Sequence, residues 1–323
     1  MCLIAFAVNA SKRWPLVIAS NRDEFFDRPT LPLARWQSAT GQSIVSGRDA
    51  RAGGTWLGMT PSGRIAFLTN VREAALPGQS IQPAFEKSRG ELVMRWLEGR
   101  MSAAQFMLDT DRTRYGGFNL VLGDWQTGQW RWISNRLFET RPDGSTAQRP
   151  KAAGWCSRVL EPGVYALSNA ALDTPWPKTL ALKTALTGAL GASDEVGLKK
   201  PLWEALASRS YASTENLPGL LGSDANFMTM QSITPEGRAK GTMNLDSDPK
   251  NPLEEALSSA YVDSPERGYG TRCSTVLVAT PQAGEQSQLK WTLRVEEKTH
   301  LQSADAAAST RLVLHWPSTE TLP

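Results

Sequence analysis

The chain has 323 residues, 41% of them hydrophobic and 21% charged, with a formal net charge of only +3. That balance fits a globular protein with a sizeable core, and no block of like charge marks a nucleic-acid or anionic-membrane partner. No apolar run approaches the ~20 residues needed to span a bilayer.

"CLIAFAV" (2–8) and "PLVIAS" (15–20) are apolar throughout and are split by the polar "NASKRW". They read as two paired strands covered on both faces. "TWLGM" and "RIAFLTNV" flank the turn residues "TPSG" and predict a second hairpin; "FNLVLGD" and "QWRWISN" flank "WQTG" and predict a third. A helix is expected over 88–98, with Leu92, Val93, Trp96 and Leu97 on one face, and a short one over 102–109. "VYALSN" (164–169) reads as a strand. "LDTPWPKTLALKTALTGAL" then reads as a helix that Asp173 or Thr174 could cap, with prolines in its first turn. Another helix is expected over 198–208. "STVLVAT" (274–280) and "LKWTLRVEE" (289–297) are further strands, and "RLVLHW" (311–316) would close a sheet edge. The least structured stretches are expected over 38–53, 141–158 and 235–270.

Strands and helices cluster rather than alternate, which favours α+β, and hairpins make the sheets largely antiparallel. Strands apolar on both sides need cover on both sides, which two face-to-face sheets with helices outside would supply. The chain is read as a single domain over 1–323, with its motifs between 2 and 280 and a C-terminal extension over 281–323. The N-terminus lacks the basic-then-apolar pattern of a signal peptide. Cys2, Cys156 and Cys273 form neither a disulfide framework nor a metal pattern. A reducing cytoplasm is expected, and no cofactor or metal.

The two histidines, His300 and His315, both lie near the C-terminal end. A histidine-based triad would have to recruit its base there, so an acyl-transfer chemistry here would use another base. Cys2 offers one. With Met1 trimmed, it carries a thiol and an α-amine on one residue, with ordinary pKa values of ~8.5 and ~7.7–8.0. Part of the amine is then neutral near pH 7 and can take the thiol proton. The plainer reading of Cys2 is a small apolar residue opening a buried strand.

Other polar positions fall at strand ends. "SNRDE" (20–24) supplies Arg22, Asp23 and Glu24; "SGRDARAGGTWLG" (46–58) has a Gly53-Gly54 pair; Asn70 ends "AFLTN", Asn169 ends "YALSN", and Arg272 lies in "YGTRCST". Each alone is an ordinary turn or surface residue. Together they offer a cation for a thiolate, an acid for an amine and amide donors for an oxyanion.

"MC", "NRDEF…RP", "GRD", "GGTWLG", "GRIAFLTN", "YGGFNLVLGD", "YALSNAALDTPWPK" and "YGTRCST", in order from residue 2 to 275, resemble the NRDE family, also called the transport and Golgi organisation protein 2 family. That family is in turn similar to choloylglycine-type N-terminal nucleophile hydrolases. The resemblance implies a four-layer αββα sandwich and a hydrolase of linear amide bonds acting through a Cys2 thioester. It implies Cys2 as nucleophile, Arg22 and Asp23 beside it, Asn70 and Asn169 at the oxyanion, and Arg272 as a late arginine. Arginine and acid are adjacent here where the related enzymes usually separate them, so Glu24 stands as the second choice of acid. The alternative on the same fold is a non-catalytic protein binding or trafficking haem or an acyl lipid. The expected partner is a small amide or acyl ligand.

Overall fold

The computed structural model describes residues 2–71, 85–140, 146–148, 154–210, 232–233, 239–240, 258–282, 291–300 and 308–316. Two seven-stranded sheets form its centre. The strands of these sheets are numbered in chain order. They are β1 (Cys2–Val8), β2 (Leu16–Phe25), β3 (Thr30–Gln37), β4 (Ser43–Asp49), β5 (Leu57–Met59), β6 (Arg64–Asn70) and β7 (Phe118–Asp124), then β8 (Gln129–Ser134), β9 (Cys156–Val159), β10 (Gly163–Leu167), β11 (Asp263–Ser264), β12 (Tyr269–Pro281), β13 (Trp291–Thr299) and β14 (Ala308–Trp316). The helices are α1 (Gly90–Glu98), α2 (Ala103–Leu108), α3 (Pro177–Ala189) and α4 (Glu195–Leu206).

The first sheet runs β10-β1-β2-β12-β13-β14, with β11 also on β12; the second runs β9-β8-β7-β6-β5-β4-β3. Every strand pairing in both is antiparallel.

The layers follow from side-chain alternation along each strand. In β1 Ile4, Phe6 and Val8 join a core between the sheets, while Leu3, Ala5 and Ala7 join a second core with Leu182 and Leu186 of α3 and Leu198 and Leu202 of α4. In β6, Ile65 and Phe67 face the first sheet, and Ala66 and Leu68 pack with Leu92, Val93, Trp96 and Leu97 of α1. Phe6 meets Phe67 edge-on across the sheets at 5.0 Å between ring centroids. Three cores between four layers make the fold an αββα sandwich. Burying Phe6 alone contributes about 1.5–3 kcal/mol.

The expected C-terminal strands form, with β14 at the sheet edge; β13 pairs with β12. Three expectations need correction. The stretch 38–53 is not irregular throughout: "SIVSGRD" is β4, with Ile44 and Val45 fully buried. In 141–158 and 235–270, Thr146–Gln148, Cys156–Val159, Ala239–Lys240 and Asp263–Ser264 are strands, and the remainder falls partly outside the described residues. Neither Asp173 nor Thr174 caps α3, which starts at Pro177 with no side-chain cap. Asp173 instead accepts from the Ala166 backbone N–H and from Lys183, and Thr174 donates to the Ala171 carbonyl. Those bonds brace the link between β10 and the helix. Among the described residues no helix is long and apolar enough to cross a membrane.

Candidate active site

Cys2, Arg22, Asp23 and Arg272 lie on β1, β2 and β12, which are neighbours in the first sheet; Asn70 ends β6 and Asn169 follows β10. Cys2 opens β1 and pairs in register with Arg22 of β2, and Arg22 also pairs with Cys273 of β12. By alternation with Ile4, Phe6 and Val8, Cys2 belongs to the inter-sheet face. Its carbonyl accepts from the Ser168 hydroxyl at 3.1 Å, which ties it to the segment after β10. Burial raises the Cys2 thiol above its ordinary range and Asp23 adds to that; the positive chain terminus, Arg22 and a hydrogen bond from the Asp23 backbone act against it. Burial wins, so the resting sulfur is a thiol.

Arg22 is 5% exposed. Its guanidinium lies 4.3 Å from the centre of the Trp56 ring, donates to the Thr30 hydroxyl at 3.1 Å and stands 3.6 Å from the Glu24 carboxylate. Two glycine motifs serve this arrangement. A Cβ on Gly47 would meet the Trp56 ring at 2.5 Å, so the "GRD" glycine clears room for the indole under Arg22. Gly53 takes a left-handed φ of +74°, and a Cβ on Gly54 would strike Gly90 at the start of α1 at 2.6 Å. The pair is a turn and a close approach, not a ligand cradle.

The two acids point to different surroundings. Asp23 alternates with Val17, Ala19 and Asn21, whose contacts are with the helix layer: Asn21 donates to the carbonyls of Leu206 and Ala260 at 2.8 Å each. Asp23 is 3% exposed and accepts from the Thr271 hydroxyl at 2.7 Å. Burial raises its pKa; the positive chain terminus, Lys178, the Thr271 bond and Arg22 pull it down, in that order. Glu24 sits nearer solvent, between Arg22 at 3.6 Å and Arg28 at 3.8 Å. Asp23 is thus the more deeply buried of the two acids.

Asn169 is buried; its amide donates to the Asn70 backbone carbonyl at 2.8 Å and its oxygen accepts from Ser168 at 3.2 Å. Asn70 is thus joined to the site through its main chain. Arg272 spends donors on the carbonyls of Phe25 and Phe26, at 2.9 and 2.8 Å, and so fastens the turn leaving β2. It also lies in the field of Arg22: burial first and Arg22 next lower its pKa. Cys273 flanks Arg22 from the far side, but burial and the neighbouring Glu297 raise its thiol well above the ordinary value. Among the described residues no cluster of His, Cys, Asp and Glu could hold a metal ion.

Sequence reasoning missed Trp56 as the platform, Thr271 and Ser168 as braces, and Lys178 as a buried cation. The motifs "GGTWLG", "YGTRCST" and "WPK" contain all but Ser168, which sits in "LSN".

The chain is distantly similar to two solved structures. One is an N-acylethanolamine-hydrolyzing acid amidase ortholog of Caenorhabditis elegans (13% identity, TM-score 0.42, covering 64% of this chain and 86% of that one). The other is a C2A mutant of the conjugated bile acid hydrolase of Clostridium perfringens (9% identity, TM-score 0.35, covering 97% and 96%). Sequence relatives are nearer. The Bos taurus Transport and Golgi organization protein 2 homolog is 29% identical over 287 residues, 86% of this chain and 88% of its own. The Homo sapiens homolog is 33% identical over 187 residues, 55% of this chain and 60% of its own. The model of the Transport and Golgi organisation 2 family matches residues 1–291, a span containing Cys2, Arg22, Asp23, Asn70, Asn169 and Arg272, and the chain belongs to that family.

Proposed function

We propose that the protein is an N-terminal cysteine hydrolase that cleaves linear amide bonds through a thioester on Cys2. The observation that carries this reading is the placement of Cys2 in register with the buried Arg22, with the Asp23 N–H on its sulfur. In the Met1-free chain the α-amine sits on Cys2 itself. Because burial keeps the resting sulfur protonated, the proton must leave as the sulfur attacks. The neutral α-amine takes it. Arg22, held on Trp56, offsets the charge that develops on sulfur. An amide carries two N–H donors. The Asn70 carbonyl takes one from Asn169, and the other serves the oxyanion, with Asn70 as its partner donor. The C–N bond then breaks, the leaving amine takes the proton back, and water hydrolyses the thioester with the α-amine again as base.

The test is intact mass and peptide mapping. The mature protein should begin at Cys2, a panel of N-acyl amines should leave an acyl mass on the Cys2 peptide, and low-dose iodoacetamide should label Cys2 ahead of Cys156 and Cys273. Active protein that keeps Met1, or Cys2 labelling no faster than Cys156, would overturn the reading. Saturable binding of haem or an acyl lipid without an adduct would favour the binding role.

A further inference from the structure

Lys178 lies in the first turn of α3 and is 6% exposed. It opens the buried stripe Lys178, Leu182, Leu186 and Ala189, which faces the first sheet. One turn further on, Leu182 and Leu186 pack in the same core as Leu3 of β1. Asp23 faces this same layer from β2. A lysine seldom goes under a helix unless a negative charge receives it.

We infer that Lys178 is the standing counter-charge of Asp23, a positioning residue that leaves the Cys2 α-amine free to be neutral. The inference rests on the hydrolase reading above. A buried carboxylate needs a positive partner. Were the α-ammonium its sole partner, the pair would hold the amine protonated, and an amine that cannot shed its proton cannot act as base. With Lys178 in place, Asp23 keeps a cation whichever form the amine takes, and the amine still has the carboxylate to orient it. Among the side-chain cations that act on Asp23 against burial, Lys178 comes ahead of Arg22. The other charged or titratable groups around this point are Cys2 from β1, Arg22 from β2, Tyr269 from β12 and Tyr261 before it. Burial raises both phenols, so they stay neutral near pH 7.

The experiment titrates the amine itself, so that it reads the same whether or not the protein proves to be a hydrolase. In a Cys2→Ser background, with Met1 removed by an aminopeptidase, the α-amine is pulse-labelled with acetic anhydride across pH and quantified by peptide mapping. Lys178→Met, close in volume, should raise the labelling midpoint by about one pH unit. Lys178→Arg should keep the original midpoint. With Asp23→Asn also present, the Lys178→Met rise should vanish, because the carboxylate that held the proton is gone. An unchanged or lowered midpoint in Lys178→Met, or a rise that survives Asp23→Asn, overturns the inference. Lys178→Gln is read by the same criteria should the methionine variant not fold. Loss of the hydrolase reading alone would show as a Cys2 that takes no acyl group while the amine titration still shifts.

Discussion

Substituting Gly47 by alanine should destabilise the protein through a side chain in another motif. The added Cβ would lie 2.5 Å from two carbons of the Trp56 ring and 3.2 Å from the Leu31 carbonyl. The ring has little freedom to yield, since it is 9% exposed and carries the Arg22 guanidinium at 4.3 Å. Overpacking of this kind costs about 1–3 kcal/mol. Displacing the indole also weakens the cation–π contact, which contributes about 0.5–2 kcal/mol. A total loss of about 1.5–5 kcal/mol is expected from those two ranges. Urea unfolding followed by circular dichroism measures it, and iodoacetamide labelling of Cys2 should slow as Arg22 moves off. Trp56→Leu in the same chain separates this cause from a general weakening of β4. If the alanine clashes with the indole, the double variant should lose at least about 1 kcal/mol less than the sum of the singles. A Gly47→Ala protein within about 0.5 kcal/mol of wild type, or strictly additive costs, would refute the reasoning.

Arg272→Met should lower stability by about 1–2 kcal/mol, because the Phe25 and Phe26 carbonyls lose a charged donor on a partly exposed turn. An unfolding free energy equal to wild type would show that water replaces the guanidinium at no cost. His300 predicts a pH effect. Burial first, then Lys298 and Arg209, hold its pKa below the ordinary imidazole value, and its Nε2 meets the Ser274 hydroxyl at 2.9 Å. The unfolded imidazole therefore takes its proton first on acidification. Its contribution is present above about pH 7 and is lost as pH falls through the ordinary value of about 6.5 towards the folded one. Urea midpoints at pH 7.5 and 5.5 should fall further in wild type than in His300→Gln. Asp23 and Glu297, whose pKa values burial raises, act with the opposite sign at lower pH, so the difference between the two proteins is the quantity to read. Parallel curves would remove His300 from the account.

The sequence by itself determined the layers. "CLIAFAV" is apolar at every position, and such a strand can be satisfied only by cover on both faces. That requirement, repeated in "RIAFLTN" and "FNLVLGD", yields two sheets and two helix layers. It missed β3 and understated β4 because a strand near a sheet edge needs few apolar residues: β3 buries only Leu33. The candidate residues were legible for a related reason. Polar side chains at the ends of apolar strands have no packing role to explain them.

Tertiary structure decided their environments. Arg22, Asp23 and Glu24 are neighbours in sequence, yet Arg22 lies on Trp56 in the inter-sheet layer, Asp23 meets Thr271 on the other face, and Glu24 joins Arg28 near solvent. Alternation guarantees that adjacent strand residues part company. Which face holds the indole, the hydroxyl or the lysine depends on pairings between segments far apart in the chain, which no local pattern encodes. For the same reason Lys178 reads locally as an ordinary helix lysine. Only the packing of α3 against β1 and β10 buries it in the layer that Asp23 faces from β2.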